Sequence, residues 1–523
     1  MFYSIKQSSR LWTFLVFAIF ACLAALPAHA HVGSPDVYAE GNAGPYKLFV
    51  TVRPPLVIPG VAEIEVRADA APSASGIEIT PIPLTGEASK HPPVADVMKQ
   101  SAQDKQFFTG TLWIMAPGSW QVRFLVHGSQ GDGVLSIPLP ATARGTLGMQ
   151  TNLGIILAVL GAFLILGIVG IVGAAVQDAQ LAPGTEASKA ARMRAAVAMG
   201  VAFVIIAGMV VFGYIWWNND AQQYSANVYK PLNMRAKLTA DHRLKLNLAD
   251  PGWLKARRLD DFVLDHNHLM HLYMIREPNL DVVFHLHPDQ IAPGEFEMPL
   301  PSVLAGQYRL YADVVHANGF PETLVASLTL PAINGVPLTG DNSAGTVPPI
   351  ALSSSSACVA PTGKPRFQFP DGYSMMWDNP EPQPAKTPEL YQFSLFAPDG
   401  KPASDTGLYM DMLGHAAFVK TDGTVFAHVH PSGTVAMAAL MMAEAQNQSP
   451  KQQQSKPGMD TSGMNMQGMD MSGIEHSGHQ PNVVGFPYGF PTPGQYRIFV
   501  QMKHGQTVET AAFDACAKPA KVQ

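Results

Sequence analysis

Two long apolar runs constrain the fold of this chain more than any other feature. The first covers residues 153–176 and the second covers residues 195–217, and neither contains a charged side chain. A helix that spans a bilayer needs about 20 predominantly apolar residues, so we expect a transmembrane helix in each run. The absence of ionisable residues from the core of either run argues against a transporter or proton pump and favours a membrane anchor.

The short segment between the two runs predicts their orientation. Residues 177–194 carry Lys189, Arg192 and Arg194, and basic loops between spanning helices stay in the cytoplasm. The chain on either side of the helix pair would then face the periplasm or the exterior. We expect the protein in the inner (cytoplasmic) membrane, with its major domains outside the cytoplasm.

The N-terminus, residues 1–30, has the features of a secretory signal peptide. A basic start and an apolar run lead to the sequence Ala28-His29-Ala30, which is typical of a cleavage site. Cleavage there would make His31 the first residue and place an amine and an imidazole together. Cys22 offers a lipoprotein alternative, but the bulky Phe20 just before it favours simple cleavage.

After removal of the signal peptide, two cysteines remain, Cys358 and Cys516. They stand near the two ends of the last domain, and exported proteins commonly form disulfides. We expect a disulfide that closes this domain. Unpaired thiols or thiolate metal ligands are the alternatives.

A histidine motif occurs twice outside the membrane runs. His285-Leu286-His287-Pro288 returns as His428-Val429-His430-Pro431. Successive side chains of a strand point to opposite faces, so each His-x-His pair presents both imidazoles on one face. A single histidine on a strand is more often structural than a ligand, but this recurrence favours metal binding.

The repeat extends beyond these pairs in both directions. One histidine precedes each pair at similar spacing, and another follows a repeated Gly-Gln-Tyr-Arg strand that begins at Gly306 or Gly494. We therefore predict two metal sites on a duplicated β domain, or one shared site at a domain interface. His266 and His268 are further candidates. The two predicted sets are His271, His285, His287 and His316, and His415, His428, His430 and His504.

The remaining chain has the texture of β-sandwich domains, with short apolar runs between Pro and Gly turns. The predicted fold class is mainly β, with three extracytoplasmic Ig-like β-sandwich domains and a two-helix transmembrane hairpin. A net charge of -6 and the lack of a basic stripe argue against nucleic-acid binding. The predicted divisions are domains at 31–150, 218–335 and 366–523, with a Ser/Pro/Gly-rich linker at 336–365.

A Met/His-rich loop at 437–480 interrupts the last domain. Its methionines recur within a Gly-, Asp- and Ser-rich stretch that has no apolar partners for them. Thioether sulfur favours Cu(I), and imidazole adds affinity for Cu(II), so we expect copper as the bound metal, with zinc as the alternative. A solvated linker is the other interpretation of this loop. The predicted ligands are Met459, Met464, Met466, Met469, Met471, His476 and His479.

These motifs resemble known families. The loop resembles repeats of periplasmic copper-resistance proteins, in which Gly-Met-Asp-Met runs collect copper. The segment from Leu269 through His287 to Leu310 resembles the YtkA/FixH-like group, which implies an extracytoplasmic β-sandwich. A first-residue His31 is similar to CopC-like copper proteins and histidine-brace monooxygenases, with His91 and His127 as candidate second ligands.

Together these features predict a membrane-anchored periplasmic copper-binding protein that stores, buffers or delivers the metal. Its expected partners are the membrane, copper ions, and a copper-receiving protein or membrane complex. We expect no catalytic residues, because no nucleophile motif or blue-copper ligand cluster is present. A copper-dependent oxidase or monooxygenase, and a structural subunit of a membrane complex, remain alternatives.

Overall fold

The computed structural model describes residues 35–178, 181, 184–350, 363–447 and 480–520. Within these ranges the chain is mainly β, with six sheets that face each other in pairs. The three apolar cores between the paired sheets define three β-sandwiches. The predicted class, mainly β sandwiches with a pair of long apolar helices, is confirmed.

The N-terminal sandwich packs a five-stranded antiparallel sheet, β1-β2-β3-β7-β6, against a four-stranded sheet, β5-β4-β8-β9. Inward-facing Val, Ile and Leu side chains of both sheets form its core. The strands are β1 Val37–Ala43, β2 Tyr46–Arg53, β3 Gly60–Ala68, β4 Ala74–Pro83, β5 Asp96–Val97, β6 Lys99–Gln100, β7 Phe107–Ile114, β8 Gly118–Gly128 and β9 Gly133–Ala141.

Two apolar helices follow, Thr151–Asp178 and Lys189–Ala226. Both are long and apolar enough to cross a membrane, with mean hydropathies of 3.1 and 2.6 over their most apolar stretches. Each extends beyond its predicted bounds of 153–176 and 195–217. The predicted loop 177–194 is therefore shorter, because Ser188 caps the second helix by accepting a hydrogen bond from the amide of Ala191 at 3.2 Å.

The middle sandwich, called here the first His domain, pairs the sheet β10-β11-β15-β14 with the sheet β17-β16-β12-β13-β18. Its strands are β10 Asn233–Leu238, β11 Arg243–Ala249, β12 His271–Glu277, β13 Val282–Leu286, β14 Asp289–Ala292, β15 Glu295–Pro299, β16 Gly306–Val315, β17 Pro321–Leu330 and β18 Ser343–Thr346.

The last sandwich, called here the second His domain, pairs the sheet β19-β20-β21-β25 with the sheet β22-β26-β23-β24, to which β27 adds beside β26. A short helix, Met437–Ala445, follows β24. The strands are β19 Arg366–Gln368, β20 Ser374–Trp377, β21 Glu389–Phe396, β22 Thr406–Gly407, β23 His415–Lys420, β24 Phe426–Val429, β25 Val483–Tyr488, β26 Gly494–His504 and β27 Thr507–Ala517.

The two His domains pack together through the outer faces of corresponding sheets. On β12, Leu272 and Met274 point into the domain's own core, whereas Tyr273 and Ile275 point into a second apolar cluster shared with the other domain. Phe426 of the second His domain stacks on Tyr311 there, with ring centroids 4.2 Å apart. The strands at this interface are therefore buried on both faces, so their outer-face histidines are buried as well.

Two predicted boundaries are wrong. The linker 336–365 contains β18, which pairs with β13 through contacts such as His285 opposite Ser343, so the first His domain continues past residue 335. The loop 437–480 begins with the helix Met437–Ala445, which is held by apolar contacts such as Leu440 against the N-terminal core. In both places a few buried apolar side chains outweigh the Pro-, Gly- and Ser-rich composition around them.

Candidate metal centre

Eight histidines from the two His domains meet at one end of the interface between the domains: His266, His268, His271, His285, His287, His415, His428 and His430. Two groups of three bring their ring nitrogens within 4.8 Å of one another, and all six residues are buried. The first triad is His271, His285 and His287. The second triad is His266, His415 and His430. The two predicted sets therefore form one shared cluster, in which His266 of the first His domain completes the triad of the second.

Hydrogen bonds fix which nitrogen each ring of the first triad presents. His271 Nε2 donates to the backbone oxygen of Asp265 at 2.9 Å. His285 Nδ1 donates to Gln501 Oε1 at 3.0 Å, and His287 Nδ1 lies 3.3 Å from Asn342 Oδ1. A neutral imidazole carries one proton, so the opposite nitrogen of each ring keeps its lone pair. Metal-binding histidines are commonly oriented in this way.

The free nitrogens of the first triad face one another. His271 Nδ1 lies 3.2 Å from His285 Nε2, and the buried Nε2 of His287 has no hydrogen-bond partner among the described residues. Two nitrogens bound to one tetrahedral ion at about 2.0–2.1 Å would stand about 3.3 Å apart. Two facing lone pairs repel each other unless a cation lies between them, so this geometry matches a metal site.

The second triad has the same orphaned nitrogens. His430 Nδ1 lies 3.3 Å from the backbone oxygen of Val435, and its Nε2 has no partner in the described part of the chain. Within the same residues, neither ring nitrogen of His266 or His415 makes a hydrogen bond, although both rings are buried. An unsatisfied buried polar atom costs about 1–3 kcal/mol, so this cluster needs a further explanation, and a bound cation supplies one.

The two domains orient each other's histidines. Gln501 of the second His domain binds His285 of the first, while Asp313 of the first His domain lies 3.3 Å from His428 Nδ1 of the second. Asp313 and Gln501 occupy the same place in the repeat, opposite His271 and His415 respectively. The complete site therefore forms only when the two domains are docked.

Matched turns also precede the two first histidines. His266 and Asn267 adopt positive φ angles of 48° and 68°, and in the second His domain Met410 and Asp411 adopt 49° and 61°. The bridge Asp265–His268 closes one turn, as the corresponding bridge at 409 and 412 closes the other. His and Asn tolerate this left-handed region better than most residues, which lets the turn direct His266 into the cluster.

Burial makes these rings poor bases. Desolvation, followed by repulsion from neighbouring imidazoles, lowers the pKa of His285, His287 and His415 well below the usual 6.5. The pKa values of the other four buried rings shift in the same direction, chiefly by desolvation. The neutral form that binds a metal is thus already present near neutral pH. These four are His266, His271, His428 and His430.

Metal-free protein should lose stability as the pH falls below about 6.5. Because the folded-state pKa values are lowered, the unfolded chain takes up protons first, so the folded state is favoured above 6.5 and this advantage declines as the pH drops. Thermal unfolding of the apo protein between about pH 8 and about pH 5.5 measures the effect. A His91→Ala variant, which removes an exposed histidine outside the cluster, should show the same dependence of melting temperature on pH. A wild-type melting temperature that does not change with pH would contradict the prediction.

The prediction that His316 and His504 complete the sets is wrong. Each of the two lies an even number of residues after the glycine that begins its Gly-Gln-Tyr-Arg strand. Strand alternation therefore places it on the face of the sheet that points into its own domain, away from the cluster. The cluster-facing positions are Asp313 and Gln501, seven residues after the same glycines. Strand alternation applied to the Gly-Gln-Tyr-Arg repeat was the signal that would have identified them.

Both misplaced histidines have other partners. His316 lies between Asp261 and Glu322, at 2.8 and 3.1 Å, and Glu322 also binds Arg257. His504 lies 3.1 Å from Asp371 and 3.8 Å from Glu509. Asp371, His504 and Glu509 form a separate group whose ligand atoms lie within 4.8 Å of one another.

The two candidate second ligands for His31 have other surroundings. His91 is exposed beside Glu87, and His127 bonds to Asp132 at 2.8 Å. Cys516 is disulfide-bonded, and Cys358 lies outside the described residues. Several predicted ligands also lie outside the described residues, so their predictions stay untested: His31, Met459, Met464, Met466, Met469, Met471, His476 and His479.

A cleft of about 1560 Å³ lies where the three sandwiches meet. His428 and His430 line it together with Asp265 and Asp313. The second triad is therefore the part of the cluster that a small ion or molecule would reach from this cleft.

Comparisons with known proteins give a partial match. A family model described as a domain of unknown function (DUF8832) matches residues 368–519. No curated protein matches the chain. A tetra-tandem repeat from the extending region of a large adhesion protein is 8% identical at a TM-score of 0.15, covering 92% of this chain and 74% of that one. A membrane-anchored protein from Corynebacterium diphtheriae is also 8% identical at a TM-score of 0.15, with 93% and 97% covered.

Proposed function

We propose that this chain is a membrane-anchored, periplasmic copper-binding protein that stores, buffers or delivers copper. The folded His cluster would hold Cu(II), and the Met-rich sequence between 458 and 479 would capture Cu(I). The tether would keep the captured ion at high local concentration near the cluster. A copper-receiving protein or membrane complex is the proposed partner.

One observation carries the proposal: the facing, proton-free nitrogens of His271 and His285 at 3.2 Å. Each ring donates its proton elsewhere, to Asp265 and Gln501, so neither can donate to the other. A protonated pair would relieve the repulsion, but burial lowers both pKa values. A metal ion between them would satisfy both nitrogens, which supports the proposal.

The donor set favours copper. Imidazole suits Cu, Zn, Ni and Fe, and at a given site Cu(II) is the divalent ion bound most tightly. The triads contain no carboxylate or thiolate ligand, so the hard ions Mg(II) and Ca(II) are poorly matched. Zinc is the alternative cargo, and the adjacent methionine-rich sequence favours copper over it.

Copper loading of the full-length protein in detergent tests the proposal. A variant that lacks residues 458–479, loaded with Cu(II) and freed of loosely held metal, should retain two copper ions per chain by elemental analysis, one for each triad. Its Cu(I) capacity should fall below that of the wild type. The variant His91→Ala, which removes an exposed histidine outside the cluster, serves as the control and should bind as much copper as the wild type. Protein that retains no copper would contradict the proposal.

A copper-dependent oxidase or monooxygenase is a second candidate, because the cleft reaches His428 and His430. A catalytic copper site needs a coordination position that is open to substrate. Steady oxygen consumption by the copper-loaded protein with a reductant would favour this candidate. Copper retention without turnover would favour storage or delivery.

A further inference from the structure

The two triads are in direct contact with each other. The rings of His266 and His271, one from each triad, have centroids 6.0 Å apart. Those of His285 and His415 are also 6.0 Å apart. These two pairs of rings bring the triads next to each other.

His428 lies between the triads and belongs to neither. Its ring centroid is 4.5 Å from that of His430 and 5.4 Å from that of His285. Asp313 lies 3.3 Å from its Nδ1, and none of the residues that the structure describes forms a hydrogen bond with its buried Nε2. Its lone pair is therefore available inside the cluster, beside both groups of ligands.

We propose that the two triads form a single binuclear copper centre rather than two independent sites. This inference rests on the proposed function. Two-metal sites in proteins commonly hold their ions about 3.5–4 Å apart, and ions at that spacing share a small bridging ligand. The ligands of both triads are neutral imidazoles, which cancel none of the charge of the two ions, so the bridge is a small anion of the hydroxide or azide class.

The cleft supplies the route for such an anion. It passes Asp313 and reaches His428 and His430, which border the gap between the triads. Tyr273 stacks on His285, with ring centroids 4.2 Å apart, and so covers one face of that ring. An anion that enters from the cleft would reach the ion of the second triad first and would then bridge to the ion of the first triad.

Electron paramagnetic resonance of the Cu(II)-loaded protein that lacks residues 458–479 tests the coupling. Two Cu(II) ions joined by a bridging anion couple magnetically, so most of the signal expected for the measured copper should be missing. Titration with azide should reach its end point at one azide for every two coppers. A His415→Asn/His430→Asn variant should bind one copper and give the full signal of one isolated ion.

The outcomes separate this inference from the proposed function. Two retained coppers with the full signal of two isolated ions, and one azide for each copper, would overturn the binuclear centre and leave copper binding intact. A single retained copper would have the same consequence. No retained copper would overturn both. These measurements are made on protein with an intact cluster, so the result does not depend on whether the double variant folds.

Discussion

Replacing His285 and His287 together with alanine should abolish copper binding at the first triad. The change removes two of three ligands and leaves only His271, while Gln501 loses the ring that it holds. Loss of a single outer-shell partner already costs about 10–100-fold in metal affinity, so we expect at least about a 1000-fold loss for two direct ligands. Competition titration with a copper chelator measures the change.

Two matched variants give this prediction its contrast. Gln501→Leu keeps all three ligands but removes the hydrogen bond to His285 at 3.0 Å, along with those that the Gln501 amide donates to Ser343 and Thr510, so its affinity should fall by about 10–100-fold. His504→Ala removes a histidine that lies with Asp371 and Glu509 and should leave cluster affinity unchanged. Equal losses in all three variants would indicate a general loss of folding and contradict the assignment of these ligands.

The sequence was sufficient to predict the parts of this fold that follow from local periodicity. Long apolar runs determine the helices, and strand alternation alone places His285 with His287 on one face. Both features depend on neighbours within one element. The sandwich class follows from the same short-range pattern of apolar strands and Pro/Gly turns.

The parts that sequence missed depend on docking between elements far apart in the chain. The sequence predicts His266 as a candidate ligand, but nothing local to it indicates a triad with His415 and His430, because that contact crosses the interface of two domains. Asp313 and Gln501 are not histidines, so the repeated histidine pattern does not indicate them, although the parity of the repeated strand places both opposite a cluster histidine. The buried strand β18 was hidden by the Ser- and Gly-rich composition around it.

The interface of the N-terminal sandwich with the second His domain depends on Gly433. Its φ is +124°, a region that side chains rarely adopt, and a Cβ at this position would overlap the carbonyl oxygen of Tyr38. The amides of Glu40 and Thr434 bond across this contact, to Ser432 and Tyr38 at 3.0 and 2.8 Å. No rotation of a flexible side chain can relieve the overlap, because the opposing atoms belong to the backbone.

Gly433→Ala should therefore destabilise the protein by about 3 kcal/mol or more, since strain and backbone overlap act together. The segment must move, which withdraws Val435 and Leu440 from the N-terminal core and displaces His430, three residues before the glycine. We expect a lower melting temperature together with loss of the second-triad copper. Gly76→Ala, at a position with open space around it, should change neither. If Gly433→Ala kept both the wild-type melting temperature and two coppers, the domain contact would not position His430, and the second triad would have to form without it.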